Sequence, residues 1–193
     1  GVEVPGGAHV NFGAAMQRMR RLRAQISPND SAARFRDLGI DVFLGNGRFL
    51  DSNTVDVNGT KLQFKSAVIA SGARAAAPPI DGLSQVDYLT NESVFSLTEC
   101  PRRMGVIGAG PIGCELAQSF GQLGADVLLV EATHGILPRE DPDAAAIVKQ
   151  SMLKDGVKLL CCGHDLKLHP DSDGGVRMTV TSHDKGYDEA VDK

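Results

Sequence analysis

The stretch from Met104 to Glu131 constrains this chain more than any other. An apolar run at Met104, Val106 and Ile107 leads into Gly108-Ala-Gly-Pro-Ile-Gly113, and Ile112, Leu116, Phe120 and Leu123 then recur at helical spacing. A second apolar run at 127–130 ends in Glu131. The pattern predicts a strand, a tight turn, a helix starting near Pro111, a buried parallel strand and an acid. Gly108, Gly110 and Gly113 satisfy G-x-G-x-x-G, and Glu131 stands 18 positions after the third glycine, near the roughly 20 at which a dinucleotide-binding βαβ unit places its acid. The residue types suit that chemistry. Gly108 permits the turn, Gly110 lets backbone approach a pyrophosphate, and Gly113 lets the helix pack closely on the strand. The phosphates would rest on the helix amino end, where unpaired N–H groups and the dipole favour negative charge. The alternative is a βαβ unit whose glycines serve packing alone.

Composition narrows the class. A chain of 193 residues, 42% hydrophobic, can build one large α/β domain or two small ones. No apolar run approaches the roughly 18 residues of a membrane span and the start lacks a signal-peptide pattern, so a cytoplasmic location without a membrane partner is expected. Residues 1–77 carry 10 basic and 6 acidic side chains and residues 78–193 carry 10 and 18. That shift, at the Ala75-Ala-Ala-Pro-Pro79 interruption, predicts two domains, 1–77 and 78–193. Cys100, Cys114, Cys161 and Cys162 show no C-x-x-C, and His9, His134, His164, His169 and His183 are scattered, so neither a disulfide framework nor a metal site is expected. Cys161 and Cys162 read as neighbours in or after a strand with side chains facing opposite ways: two reduced thiols. Cys114 reads as a small packing residue.

From the amino end, residues 1–7 read as a loop. Asn11 can cap a helix on Phe12, Met16, Met19, Leu22 and Ile26, with Arg18, Arg20, Arg21 and Arg23 on its other faces. A nucleic-acid role for these arginines is disfavoured, because no stacking aromatic accompanies them and the net charge is −4. Asn29 or Asp30 can start a second helix through Phe35 and Leu38 to a stop at Gly39. The period then changes. Residues 40–44, 47–50, 54–57, 61–64 and 67–70 predict an antiparallel meander, with Asn58-Gly59 as a hairpin turn, and a further strand. Residues 88–91 and 92–97 predict a strand and a short helix. Residues 143–154 predict a helix on Ala146, Ile147, Met152 and Leu153, stopped by Gly156 and followed by a strand at 157–160. Residues 166–169, 176–181 and 187–191 predict three antiparallel strands, and Asp171 and Asp173 fall in a hairpin.

Residues 67–83, Ala-Val-Ile-Ala-Ser-Gly-Ala-Arg followed by Pro78-Pro-Ile-Asp-Gly-Leu83, are similar to the segment that precedes the second glycine fingerprint in the pyridine nucleotide-disulfide oxidoreductases. Ile136-Leu-Pro-Arg-Glu-Asp141 also resembles that family, and the whole chain looks most like its mercuric-reductase and dihydrolipoamide-dehydrogenase types. The resemblance implies part of an FAD-binding domain joined to a Rossmann-like NAD-binding domain, a parallel sheet with a three-stranded antiparallel meander, ending before that domain's last strand. It implies NAD and FAD as cofactors, hydride passing from NADH to flavin, a role in cell redox homeostasis, and a homodimer for the full-length protein. The redox cysteines and the acid/base pair of the family would lie outside residues 1–193, so the fragment itself is expected to be inactive.

Site residues carry over one at a time. Gly108, Gly110, Pro111, Ile112 and Gly113 would hold the NAD pyrophosphate, and Glu131 the adenosine ribose hydroxyls. A carboxylate there would repel a 2′-phosphate and favour NADH over NADPH, while His134 and Arg139 are the cations that soften that preference. Glu115 resembles the family's carboxylate beside the nicotinamide; otherwise it is a helix-start acid favoured by the dipole. Gly47, Arg48, Ser71 and Gly72 would contact the ADP part of FAD, or are simple turn residues. The alternatives are an NADH oxidase or ferredoxin reductase type of flavoprotein, or a dinucleotide-binding module without catalysis.

Overall fold

The computed structural model describes residues 10–193; the expected loop at 1–7 and His9 lie outside the described residues. Contacts divide the chain into two compact units, Arg18–Arg74 and Ala75–Lys193, the latter together with residues 10–17. The first element of the described residues is helix α1 (Phe12–Ile26), capped where Asn11 Oδ1 accepts the Ala14 N–H at 2.9 Å.

In the first unit, residues 27–30 form a single 3-10 turn and α2 (Ala32–Asp37) follows. Its cap is Ser31, whose hydroxyl accepts the Arg34 N–H; Asn29 and Asp30 belong to the preceding turn. Strands β1 (Gly47–Phe49), β2 (Thr54–Val57) and β3 (Thr60–Gln63) pair antiparallel in that order. Asn58 and Gly59, at φ 51° and 89°, make the expected hairpin turn.

The second unit holds β4 (Arg103–Ile107), α3 (Pro111–Gln122), β5 (Asp126–Val130), α4 (Pro142–Lys154) and β6 (Lys158–Leu160). The three strands form a parallel sheet in the order β4-β5-β6, each crossover carrying a helix. Strands β7 (Gly163–Pro170), β8 (Val176–Ser182) and β9 (Lys185–Val191) form the expected antiparallel meander. The β5 side chains alternate between two cores. Leu128 and Val130 join Leu160, Leu168, Val176, Met178, Val180 and Val191 under the meander. Val127 and Leu129 point to the other face, where Ala117, Phe120 and Met152 are buried and Phe12 meets Phe120 at 5.8 Å between centroids. Each large side chain so buried contributes roughly 1.5–3 kcal/mol. Burial on both faces explains why residues 127–130 are apolar without alternation. Arg103 anchors the last strand's end: its guanidinium meets Asp192 at 2.8 Å, and that carboxylate also accepts the Arg102 and Arg103 N–H groups.

The structure departs from expectation in several places. Residues 40–44 and 67–70 form no strands; Val68 and Ile69 are 91% and 74% exposed. Extended backbone becomes a strand only when a neighbour takes its hydrogen bonds, and neither run has one among the described residues. Residues 88–91 form no strand for the same reason, and 92–97 shrinks to a 3-10 turn, Val94–Ser96. In α1 only Phe12 and Met16 are buried, while Leu22 and Ile26 are exposed. On α3 the buried stripe is Cys114, Ala117 and Phe120, and Ile112 is exposed. Close helix–strand packing selects small residues there, so side-chain size misplaces the face. On α4, Ala145 and Met152 are buried and Ile147 faces outward. No helix among the described residues is long and apolar enough to cross a membrane.

Candidate functional site

The end of β4 turns sharply at Gly108, whose φ of 99° is a left-handed conformation that side chains other than glycine resist. Its N–H donates to Val130 O, tying the turn to β5. Gly110 caps α3 in extended conformation and Pro111 takes the first helical position, where its missing N–H costs nothing. Gly113 lies directly over the turn: a Cβ there would stand 1.9 Å from Gly108 O. At Gly110 an added Cβ meets nothing within 4 Å, leaving open space in front of the α3 amino end. The N–H groups of Ile112 and Gly113, in the first turn, have no intrahelical acceptors, as in any helix. Ile112 is exposed beside them.

Glu131 follows β5 and reaches back to this turn. Its Oε2 accepts the Ala109 N–H at 2.6 Å, and its Oε1 accepts the Thr133 N–H and hydroxyl at 2.8 and 2.9 Å. Burial pulls its pKa upward, but hydrogen bonds from Thr133 and Ala109 hold it below the ordinary carboxylate value. The group is therefore an ionised acceptor at neutral pH. The loop after it closes over the turn through Leu137 N–H to Ala109 O at 2.8 Å, with Ile136 buried. His134 and Arg139 are exposed in this loop. Ala109 and Thr133, which hold the carboxylate, were invisible to motif spacing; a threonine two residues after a strand-end acid, within reach of its carboxylate, was the available signal.

Glu115 is exposed on α3, adjoining Cys114 on the core side. Cys114 is buried and its thiol donates to Ala109 O at 3.3 Å. Burial first, then the charges of Glu131 and Glu115, push that thiol above its ordinary pKa, the reverse of an activated thiolate.

Gly47, Arg48, Ser71 and Gly72 all belong to the Arg18–Arg74 unit and are exposed. Gly72 has φ 71°, whereas a Cβ at Gly47 would make only an ordinary 3.7 Å contact with Val55.

The structure gathers residues that looked scattered in the sequence. His134, Cys161 and Cys162 bring their ligand atoms within 4.8 Å of one another, and His183 stands beside Cys161. The two thiols do not face opposite ways as expected, because Cys162 is in a left-handed conformation, φ 54°, that breaks the strand alternation. The overlooked signal was topological: β5 and β6 are parallel neighbours, so residues just past both of their carboxy ends must meet.

Known proteins share this architecture. The chain is 36% identical over 137 residues to the mercuric reductase of Bacillus cereus, covering 71% of this chain and 22% of that protein. It is 29% identical over 164 residues to the dihydrolipoyl dehydrogenase of Acholeplasma laidlawii, covering 83% and 48%. The solved HOCl-induced flavoprotein disulfide reductase RclA from Escherichia coli superposes with a TM-score of 0.76 at 27% identity, over 95% of this chain and 42% of that one. The chain thus spans less than half the length of each. Residues 8–191 match the pyridine nucleotide-disulphide oxidoreductase family, and with the parallel sheet, glycine turn and meander in place, the chain belongs to that family.

Proposed function

We propose that this chain binds NADH within a longer FAD-dependent disulfide oxidoreductase of the mercuric reductase and dihydrolipoyl dehydrogenase type. The observation that carries the reading is the Glu131 carboxylate, held ionised and hydrogen-bonded into the glycine turn at the carboxy edge of a parallel sheet. That crevice is where open α/β sheets take ligands. The turn fits a dinucleotide: open space at Gly110, helix N–H donors at Ile112 and Gly113, and an acid one strand away.

In this reading Gly108 and Gly113 set the distance between turn and helix, and the α3 amino end meets the pyrophosphate. Glu131 accepts hydrogen bonds from the adenosine ribose hydroxyls on the lone pairs that Ala109 and Thr133 leave free. Its charge opposes a 2′-phosphate, which favours NADH; His134 and Arg139 in the next loop moderate that opposition. Glu115, exposed on α3, would be a carboxylate beside the nicotinamide. Gly47, Arg48, Ser71 and Gly72 contact the ADP part of FAD, on residues 1–77 of an FAD-binding part, with 78–193 forming the NAD-binding part. When both are bound, the nicotinamide supplies hydride and the flavin accepts it. The whole protein is expected to be a homodimer that works in the cytoplasm; the chain alone is not expected to turn over.

Calorimetric titration of the protein with NADH and NADPH tests the reading. NADH should bind at least about tenfold more tightly, a difference of about 1.4 kcal/mol, and Glu131→Gln should narrow the gap. Equal or tighter NADPH binding would overturn the NADH assignment. Full-length protein purified without visible flavin absorbance would overturn the flavoprotein assignment.

A further inference from the structure

We propose that His134, Cys161, Cys162 and His183 form a binding site for one thiophilic d10 cation of the Zn(II) or Cu(I) class, separate from the glycine turn. The backbone builds it from three elements. Strands β5 and β6 end side by side, and the segments beyond them are stitched by Cys162 N–H to Thr133 O at 2.9 Å and Gly163 N–H to Glu131 O at 2.8 Å. The β8–β9 turn lies above, with Ser182 Oγ donating to the Cys161 carbonyl. These bonds fix both ligand loops before any ion arrives.

Two of the ligand pairs already stand at the edge length of a coordination tetrahedron. Cys162 Sγ lies 3.5 Å from His134 Nδ1, and Cys161 Sγ lies 3.4 Å from His183 Nε2. With Zn–S near 2.3 Å and Zn–N near 2.0–2.1 Å, a tetrahedral site has S···N edges of about 3.6 Å and an S···S edge of about 3.8 Å. The His134, Cys161 and Cys162 ligand atoms, all within 4.8 Å of one another, need to close by no more than about 1.2 Å to reach those edges. His183 stands outside that group of three, its ring edge-on to His134 at 6.3 Å between centroids, and completes the set by moving toward the ion.

Backbone conformation sets where the thiols point. Cys162 has a positive φ of 54°, while His183 and Asp184, at 48° and 59°, form the two-residue hairpin turn between β8 and β9. Without the Cys162 conformation its thiol would face away from Cys161.

Donor chemistry selects the cation. Two sulfurs and two imidazoles suit soft or borderline ions and exclude the oxygen-seeking Mg(II) and Ca(II). No carboxylate belongs to the cluster among the described residues, and Glu131 in the preceding loop bonds to Ala109 and Thr133. Cys161 is buried, Cys162 half-buried and His134 exposed, so the site opens to solvent on one side and can exchange its ion. Binding of a divalent ion releases the two thiol protons to solvent and leaves both sulfurs as thiolates.

The test uses the purified protein, reduced and stripped with chelator. Zn(II), titrated against a chromophoric chelator, should bind at one equivalent per chain. Co(II) as a stand-in should give thiolate charge-transfer absorbance. Cys161→Ser or Cys162→Ser should lower that band by about half or more and the double variant should abolish it, and His134→Ala or His183→Ala should weaken affinity by about 10–100-fold. Alkylation mapped by mass spectrometry covers the case in which a variant fails to fold. In the unmutated protein Zn(II) should protect Cys161 and Cys162 and leave Cys100 unaffected. Equal alkylation of both thiols with and without Zn(II), or spontaneous formation of a Cys161–Cys162 disulfide in place of metal binding, would overturn the proposal.

Discussion

Replacing Gly113 by alanine puts a methyl group 1.9 Å from Gly108 O and 3.1 Å from its carbon. Ordinary contact begins near 3.4 Å, so helix and turn must part by about 1.5 Å along that direction. Neither side can yield easily. Both atoms are backbone, the turn is held by Gly108 N–H to Val130 O, and the helix is held by buried Cys114, Ala117 and Phe120. Overpacking of this kind costs about 1–3 kcal/mol, and each kcal/mol lowers Tm by about 2–4 °C in a chain of this size. The displacement would also lengthen a hydrogen bond from the α3 amino end to a bound phosphate. Loss of one such charge-assisted bond, about 1.5–3 kcal/mol, weakens NADH by roughly 10–150-fold. Gly110→Ala is the matched control. Its methyl meets nothing within 4 Å, so stability should change by no more than about 0.5 kcal/mol, yet it fills the space a pyrophosphate needs and should also weaken NADH. Thermal unfolding followed by circular dichroism, with calorimetric titration of each variant, separates the effects. A G113A protein as stable as the parent would refute the packing argument. A G110A protein with undiminished affinity would mean that the glycines serve packing alone.

Other perturbations have distinct signatures. Gly82→Ala drives a Cβ to 1.7 Å from Leu168 O at a residue with φ 81°; clash and backbone strain together predict a loss of about 2–4 kcal/mol by denaturant unfolding. Asp192, whose pKa is lowered chiefly by its hydrogen bond with Arg103, contributes stability that is full above the ordinary carboxylate value and is lost as pH falls through the depressed native value. Asp192→Asn should therefore be less stable than the parent at neutral pH, with the gap closing in acid; a gap independent of pH would refute the ion pair's role. Thr133→Val removes a hydroxyl bond to Glu131 and should raise the pH at which Glu131 protonates, measurable by carbon-detected NMR of that carboxylate.

Features set by a few adjacent residues were legible in the sequence. Asn58-Gly59 dictates a left-handed two-residue turn, and the period-two pattern of 176–181 dictates a half-buried strand; both formed where expected. Gly108, by its positive φ, and Gly113, by its close approach to Gly108 O, dictate the turn sterically, whereas Gly110 leaves open space in front of the helix. Tertiary structure decided the rest. Residues 40–44 and 67–70 have strand composition but no partner among the described residues, and a strand exists only as a pair. Which face of α3 is buried depended on the Gly113 contact rather than on its large apolar residues. Glu131 was recognisable by its distance from the glycines, but its bonds to Ala109 and Thr133 were not. His134, Cys161, Cys162 and His183, spread over 50 positions, meet because two parallel strands end together beneath one hairpin turn. Local rules of φ, spacing and alternation act through the chain and can be read along it; the meeting of distant side chains depends on strand order and register, which only burial of the shared core selects.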